Sequence, residues 1–292
     1  MHQAALISES DSLVARTSSY PLVSIVTPCL NQARFLEETI LSVKRQDYPF
    51  IEHIIIDGGS NDGSVDIIKA YTKALADWVS EQDNGQSSAI NKGFSVAHGN
   101  IFAWLNSDDL LAVSAVRIAI DYLGRYPEVG VIYGDRLHID QKGNVIGVNQ
   151  MPCYYPKIFK RNKTLPQETV FFRREVWQQV GGLDESLHYS MDFDLWCRMA
   201  KITRFRHIPA FLGFFREHSN AKSVFVHDQM NENSGEFFKE HQRVYRKHFG
   251  TSLPGPLAAR CYRVIHKANL AKEFVGKQRA AEVRRIRSLI TQ

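Results

Sequence analysis

Between Val23 and Tyr133, short β-rich apolar runs alternate with segments whose apolar residues recur at helical spacing, and this alternation restricts the fold more than any other feature. Val23-Ser-Ile-Val-Thr27 comes first, ended by Pro28, with Asn31 placed to cap the helix that follows. Residues 34–44 then carry Phe35, Leu36, Ile40, Leu41 and Val43 on a helical pattern. Ile54-Ile-Ile56 ends in Asp57 and a Gly-Gly-Ser-Asn-Asp-Gly turn, with a second helix through Val65, Ile67 and Ile68. The pattern then predicts a strand at 76–79, a helix at 89–97, a strand at 101–105, a helix at 114–126 and a strand at 129–133. Strands joined through helices imply right-handed crossovers, hence an α/β fold with a mostly parallel sheet flanked by helices on both faces.

After Gly134 the pattern changes. Residues 137–139 and 145–148, separated by Gln141-Lys-Gly-Asn144, read as a hairpin. Val170-Phe-Phe172 precedes a helix at 175–180 stopped by Gly181-Gly182, and 192–199 reads as another helix. These signals place a flexible leader at 1–21, a body at 22–225 and a basic helical extension at 226–292. The leader lacks a cationic segment followed by an apolar core, so it is not read as a secretory signal. No apolar run approaches the roughly 20 residues needed to span a bilayer. The four cysteines form no Cys-x-x-Cys pair, which disfavours a zinc site and suits a reducing cytoplasm.

The net charge of +5 is unevenly spread. Residues 226–292 hold 13 Lys and Arg against 6 Asp and Glu, which leaves the rest of the chain close to neutral. A neutral body without a recognition motif argues against a nucleic-acid partner. In the extension, Arg260, Arg263, Lys267, Lys272, Arg284 and Arg285 interleave with Val264, Ile265, Leu270, Phe274 and Leu289. Such a helix either lies on an anionic membrane surface, at the inner face of the plasma membrane, or packs on protein, including across a homodimer.

Three strand ends carry polar clusters: 28–31, 57–62 and 106–109. In open α/β sheets ligands bind beyond the C-terminal strand ends, so all three would face one crevice. Asn106-Ser-Asp-Asp109 is the densest. Oxygen ligands packed that closely repel one another unless hydrogen-bond donors or a hard divalent cation sit among them. The alternative for Asp108 or Asp109 is the cap of a helix starting near Leu110. Neither Gly-x-Gly-x-x-Gly nor Gly-x-x-x-x-Gly-Lys-Ser/Thr occurs, so a dinucleotide or P-loop site is not expected.

Four ordered blocks resemble the family 2 glycosyltransferases: Val23 to Asn31, Asp57-Gly-Gly-Ser-Asn-Asp-Gly-Ser64, Leu105-Asn-Ser-Asp-Asp109, and Gly181-Gly-Leu-Asp184 with Asp192-Phe-Asp-Leu-Trp196. The resemblance covers about residues 22–220. It implies a GT-A fold, an inverting and metal-dependent transfer, a nucleotide-diphospho-sugar donor and a saccharide or lipid-linked saccharide acceptor, in bacterial surface polysaccharide or glycoconjugate assembly. Carried over residue by residue, Pro28 and Asn31 would flank the base and Asp57 would contact base or ribose. Gln86 and Asn91, in a further block from Asp83 to Gly93, would lie on the nucleotide side with Asn106 and Ser107. Asp108, aligned with the end of the family's Asp-x-Asp motif, and His218 would hold Mg2+ or Mn2+, with Asp109 in support. Gly181 and Gly182 would let the backbone approach donor sugar or acceptor, and Asp192 matches the catalytic base.

The chain departs from the common pattern at Gly58, Asn106 and Met191, where acidic residues are usual. Those departures motivate a competing reading as a non-catalytic sugar-nucleotide or glycan-binding module. A metal-dependent nucleotidyltransferase is the other alternative, although 27–31 lacks the basic Gly-rich loop it would need. Asp194, two residues beyond Asp192, is expected to support rather than react, and Trp177 and Trp196 to pack in the core.

Overall fold

The structure, a computed structural model, describes residues 20–154, 157–219, 221–222 and 235–251. Its centre is a mixed sheet of nine strands: β1 Val23–Cys29, β2 Ile51–Asp57, β3 Asp77–Ser80, β4 Ile101–Trp104, β5 Leu110–Leu111, β6 Val129–Ile139, β7 Val145–Asn149, β8 Phe171–Arg173 and β9 Arg204–Arg216. The order is β3-β2-β1-β4-β8-β6-β9-β5, with β7 on β6. Strands β1 to β4 are mutually parallel, β8 runs antiparallel between β4 and β6, and β6 and β9 are parallel. The chain order reverses beside β1, with β2 on one side and β4 on the other. That switch point opens a crevice at their C-terminal ends.

All seven residues of β1 are buried, as a central strand covered on both faces requires. On one face α3 (Gln86–Val96) packs Ile90 and Phe94 against Val26, Ile54 and Ile56. It lies so close that a Cβ on Gly93 would meet Val26 Cγ1 at 2.4 Å, so only glycine fits there. On the other face α4 (Ala115–Arg125) buries Val116, Ala119 and Leu123 against Val23, Ile25 and Ile132. Helices α1 (Ala33–Lys44) and α2 (Ser64–Ala70) bury Leu36, Ile40 and Ile68 over Ile55.

Beyond the sheet, α5 (Arg174–Val180) and α6 (Met191–Met199) carry Trp177 and Trp196 into the core, where Trp196 stacks on Trp104 at 5.3 Å. The last described helix, α7 (Gly235–Phe249), buries Phe237, His241, Val244 and Tyr245. Phe237, Val244 and Tyr245 join the cluster that holds Phe193 and Trp196, so this part of the basic extension packs on the body. Residues 1–19 and 252–292, most of the leader and most of the extension, lie outside the described residues.

Several local expectations change. Strand β1 runs through Pro28 to Cys29 instead of ending at the proline. Pairing with β4 has already stopped at Val26, so the missing N–H leaves no gap in that ladder. Asn31 does not cap α1: it adopts φ 54°, donates its N–H to Ser60 Oγ and accepts from the Asn61 N–H. Asp62, in the turn after β2, receives the Ala33 N–H instead. No helix starts at Leu110, which begins β5 against β9. Residues 129–139 form one continuous strand.

Candidate active site

Three polar groups stand at the crevice. The first follows β1 and β2. Asp57 is fully buried, and its Oδ2 accepts from the Gly59 and Ser60 N–H groups and from Ser80 Oγ. Burial alone would raise its pKa, but hydrogen bonds from Ser60 and Ser80 outweigh that and hold the carboxyl below its usual range. Asp57 thus ties the turn to the end of β3, and Ser60 and Asn61 of that turn hold Asn31 in place. Opposite lies Asp83: a Cβ on Gly58 would sit 2.9 Å from its Oδ2. The acidic side chain missing at 58 is therefore supplied at the same place by residue 83.

The second group is built on the β4–β5 turn and the end of β9. Asp108 Oδ2 and His218 Nε2 lie 2.9 Å apart, and the His218 ring packs 4.8 Å from Phe35 of α1. Gln86, at the start of α3, donates through Nε2 to Asn106 Oδ1 at 2.8 Å and accepts from Lys222 Nζ at 3.0 Å. Asn106 Nδ2 donates to Asp109 Oδ2, and the Arg216 N–H donates to Asp109 Oδ1. Asp109 is buried, and burial, with Asp108 and Glu168 nearby, pushes its pKa well up. Ser107 is buried in the same turn. The Arg216 guanidinium reaches the Asp108 carbonyl and Glu38, tying the turn to α1.

The third group surrounds Asp192 in the first turn of α6. Its carboxyl accepts from the Phe193 N–H at 2.7 Å and from Thr164 Oγ1 at 3.3 Å. Desolvation pushes its pKa up to about 6, against the lowering effect of these bonds and of Arg136. Arg136 pairs with buried Glu168 at 2.8 Å and acts electrostatically on both Asp109 and Asp192, so the second and third groups share one field. Helix α3 also links them, because Ser87, beside Gln86, contacts Met191 Sδ and the Leu187 carbonyl.

The structure therefore brings Gln86, Asn106, Asp108, Asp109 and His218 into one hydrogen-bonded cluster, with Asn31 and Asp57 on the neighbouring turn. Asn91 stands apart: its Oδ1 accepts from the Leu183 N–H, and its Nδ2 donates to the Leu183 carbonyl and Glu185. Gly181 closes α5 in the left-handed region, and a Cβ on Gly182 would meet Asn91 Oδ1 at 2.9 Å. These three residues fasten the 181–185 loop to α3. Sequence reasoning passed over Phe35, Arg136, Glu168 and Lys222. Only Arg216, in the Arg216-Glu-His218 triplet, stood beside a residue already singled out.

A mixed sheet whose parallel strands β1, β2 and β4 end in polar residues at the switch point, faced by an acid–histidine pair, defines an open α/β protein with a polar crevice at those strand ends. The chain belongs to glycosyl transferase family 2, whose model matches residues 24–176. It is 30% identical over 191 residues to an uncharacterized glycosyltransferase of Rickettsia prowazekii, covering 63% of this chain and 60% of that protein. It is 25% identical over 190 residues to the chondroitin synthase of Escherichia coli, covering 64% of this chain and 28% of that one. The chain thus spans less than two thirds of the length of these relatives. Among solved structures, S. aureus TarS 1-349 in complex with UDP-GlcNAc superimposes with TM-score 0.61 at 15% identity, over 79% of this chain and 73% of that one. The mannosyltransferase PcManGT of Pyrobaculum calidifontis, in complex with GDP-Man and Mn2+, gives 0.61 at 18% identity over 94% and 82%. Both share its GT-A fold.

Proposed function

We propose that this protein is an inverting glycosyltransferase that moves a sugar from a nucleotide-diphospho-sugar to a hydroxyl of a saccharide or lipid-linked saccharide, in bacterial surface polysaccharide or glycoconjugate assembly. The observation that carries the reading is the Asp108–His218 contact in the turn after β4, joined through Arg216, Asp109 and Asn106 to Gln86 at the start of α3. A donor laid along the crevice would place its nucleoside at Pro28, Asn31 and the turn shaped by Asp57. Its diphosphate would lie at Gln86, Asn106, Ser107 and Asp108. Asn91, Gly181 and Gly182 would hold the wall nearest the transferred sugar, and Asp109 would support the turn from beneath.

Among the described residues no group of three or more acidic, histidine or cysteine side chains could hold a metal by itself. Asp108 and His218 fit a cation that takes its remaining ligands from diphosphate oxygens and water, as Mg2+ commonly does. Bound there, Mg2+ or Mn2+ would neutralise charge on the leaving diphosphate. On the opposite side, Asp192 would take the acceptor hydroxyl proton as its oxygen bonds the anomeric carbon. The bond from that carbon to the diphosphate oxygen breaks with its electron pair on the leaving group, and attack from the far face inverts the centre.

Among the described residues no helix is long and apolar enough to cross a membrane. A cytoplasmic enzyme meeting the inner membrane surface through its basic extension is part of the proposal, as is a homodimer formed through that extension.

The test is thermal denaturation with UDP-GlcNAc, GDP-mannose and other nucleotide sugars, with and without Mn2+. One donor at about 100 times its Kd stabilises by about 2.7 kcal/mol. That gain is expected to require the cation and to vanish in Asp108→Ala. Stabilisation by no nucleotide sugar sinks the reading. Binding without slow hydrolysis or transfer favours the non-catalytic module that Gly58, Asn106 and Met191 suggested.

A further inference from the structure

Helix α7 lies beyond the residues matched by the family model, yet it binds the loop before α6, Asn162 and Asp194, on either side of Asp192. Glu240 Oε2 accepts from the His188 N–H at 2.9 Å, and Oε1 from the Tyr189 and Ser190 N–H groups at 2.8 and 2.7 Å. One carboxylate thus collects three successive backbone donors just before α6, where a helix start concentrates unpaired N–H groups and positive charge. His241, the next residue, is buried between two loops: its Nδ1 meets Ser190 Oγ at 3.0 Å and its Nε2 meets Asn162 Oδ1 at 2.6 Å. Asn162 sits in the left-handed region two residues before Thr164, the side-chain partner of Asp192. At the other end of α7, Lys247 and His248 bind Asp194 Oδ1 at 2.9 and 2.8 Å. Meanwhile position 191 brings no charge: Met191 is buried against Ser87.

We propose that α7 is the positioning element for Asp192, with Glu240 and His241 as the positioning residues that hold the 188–190 and 162–164 loops on either side of it. The inference rests on the reading of Asp192 as base for its catalytic meaning, but its physical content is independent of that reading. Glu240 reaches the approach to α6 from a helix about 50 residues further along the chain. Its negative charge offsets the positive helix start two residues before Asp192, while Arg136 of β6 and Cys197 of α6 act on Asp192 through space, Asp194 lies two residues on, and the buried His241 of α7 meets Ser190.

The experiment uses the full chain with Glu240→Gln and Glu240→Ala, isotope-labelled for NMR. Glutamine keeps one acceptor oxygen, so that variant holds the helix if alanine does not. Amide exchange at His188, Tyr189 and Ser190 is expected to quicken at least about tenfold in Glu240→Gln and further in Glu240→Ala. The Asp192 carboxyl is expected to titrate at lower pH in both, because the helix start is no longer compensated. With a donor that the wild type turns over, kcat should fall about a hundredfold in Glu240→Ala with donor KM nearly unchanged, as misplacement of a reacting group predicts. Unchanged exchange, or an Asp192 titration that does not move while α7 stays folded, overturns the inference. So does an unchanged kcat. Turnover by Asp192→Asn near the wild-type rate would instead remove the base assignment, and the exchange and titration readouts would still judge α7.

Discussion

Asp192 and Asp108 show how the same side chain is given different surroundings: Asp108 pairs with His218, and Asp192 sits desolvated in the first turn of α6. Met191 stands where an acid is usual, so no negative charge at that position raises the pKa of Asp192. Desolvation supplies the shift instead, raising the pKa of Asp192 to about 6. A carboxyl so raised is protonated and idle below that value, so kcat/KM for transfer is expected to climb with pH through about 6 and then level. A rate independent of pH between 5 and 7 would contradict the assignment. Asp192→Asn is expected to lose transfer by roughly 10²–10⁴-fold while donor binding persists. It should also stabilise the fold more at pH 7.5 than at pH 5, since with the raised pKa ionisation is a cost that grows from about pH 4 to about 6 and then levels. Melting curves of both proteins at the two pH values check that sign.

Asn106 is decided at the same scale. Its Nδ2 faces Asp109 Oδ2, whose pKa is already pushed up by burial and by Asp108. Asn106→Asp would set a third carboxyl into that turn. Without a cation the variant is expected to melt several degrees lower than the wild type, of the order of 1–2 kcal/mol. Mn2+ should restore it and bind more tightly in the absence of nucleotide. Equal Mn2+ affinity in the two proteins would place Asn106 outside the cation's ligands.

At the scale of elements, α6 and α7 are joined by charge as well as by apolar contact. Asp194 is fully buried, and burial alone would raise its pKa. Hydrogen bonds from His248, Lys247 and Arg198 prevail and hold it well below the carboxylate range. Asp194→Ala would leave Arg198 and His248 without their shared acceptor, at a cost of about 3 kcal/mol. Urea denaturation is expected to show that loss with an unchanged m value, whereas Asp184→Ala, at the partly exposed end of the same network, should cost under about 1 kcal/mol. Helix spacing had shown where α6 lies and that Asp194 points away from Asp192. It had not shown that Asp194 meets Lys247 and His248 as well as Arg198 of its own helix, because those two come from about 50 residues later and carry no local signature.

For the molecule as a whole, the strand–helix alternation, the turn glycines and the four ordered blocks placed the GT-A body and the crevice before any coordinates. The basic extension was readable as helical but not as docked, since amphipathic spacing does not say whether the apolar face meets lipid or protein. The structure answers this for Gly235–Phe249, whose apolar side is in the core. The exposed Lys239, Arg243 and Arg246 remain on its outer face. If the later residues bind membrane, a chain ending at Thr251 should lose most of its flotation with anionic liposomes yet melt near the full-length temperature. Undiminished flotation would assign the basic residues to solvent or to another protein surface.

Periodicity, turn chemistry and strand-end composition by themselves determined the alternation of strands and helices apart from β5 and β9, the open α/β class, and Asp57 and the 106–109 cluster as the acids to watch, because each depends on residues close in sequence. Asp108 within that cluster and Asp192 stood out only through the resemblance to the family 2 glycosyltransferases. Tertiary structure alone decided which partner each acid meets: Ser80 for Asp57, His218 for Asp108, Thr164 and the field of Arg136 for Asp192. It also decided that acidic groups absent at 58 and 191 arrive from Asp83 and, in the turn before α6, from Glu240. A charge acts through space, with a strength set by distance and desolvation, so its effect cannot be read from neighbours along the chain.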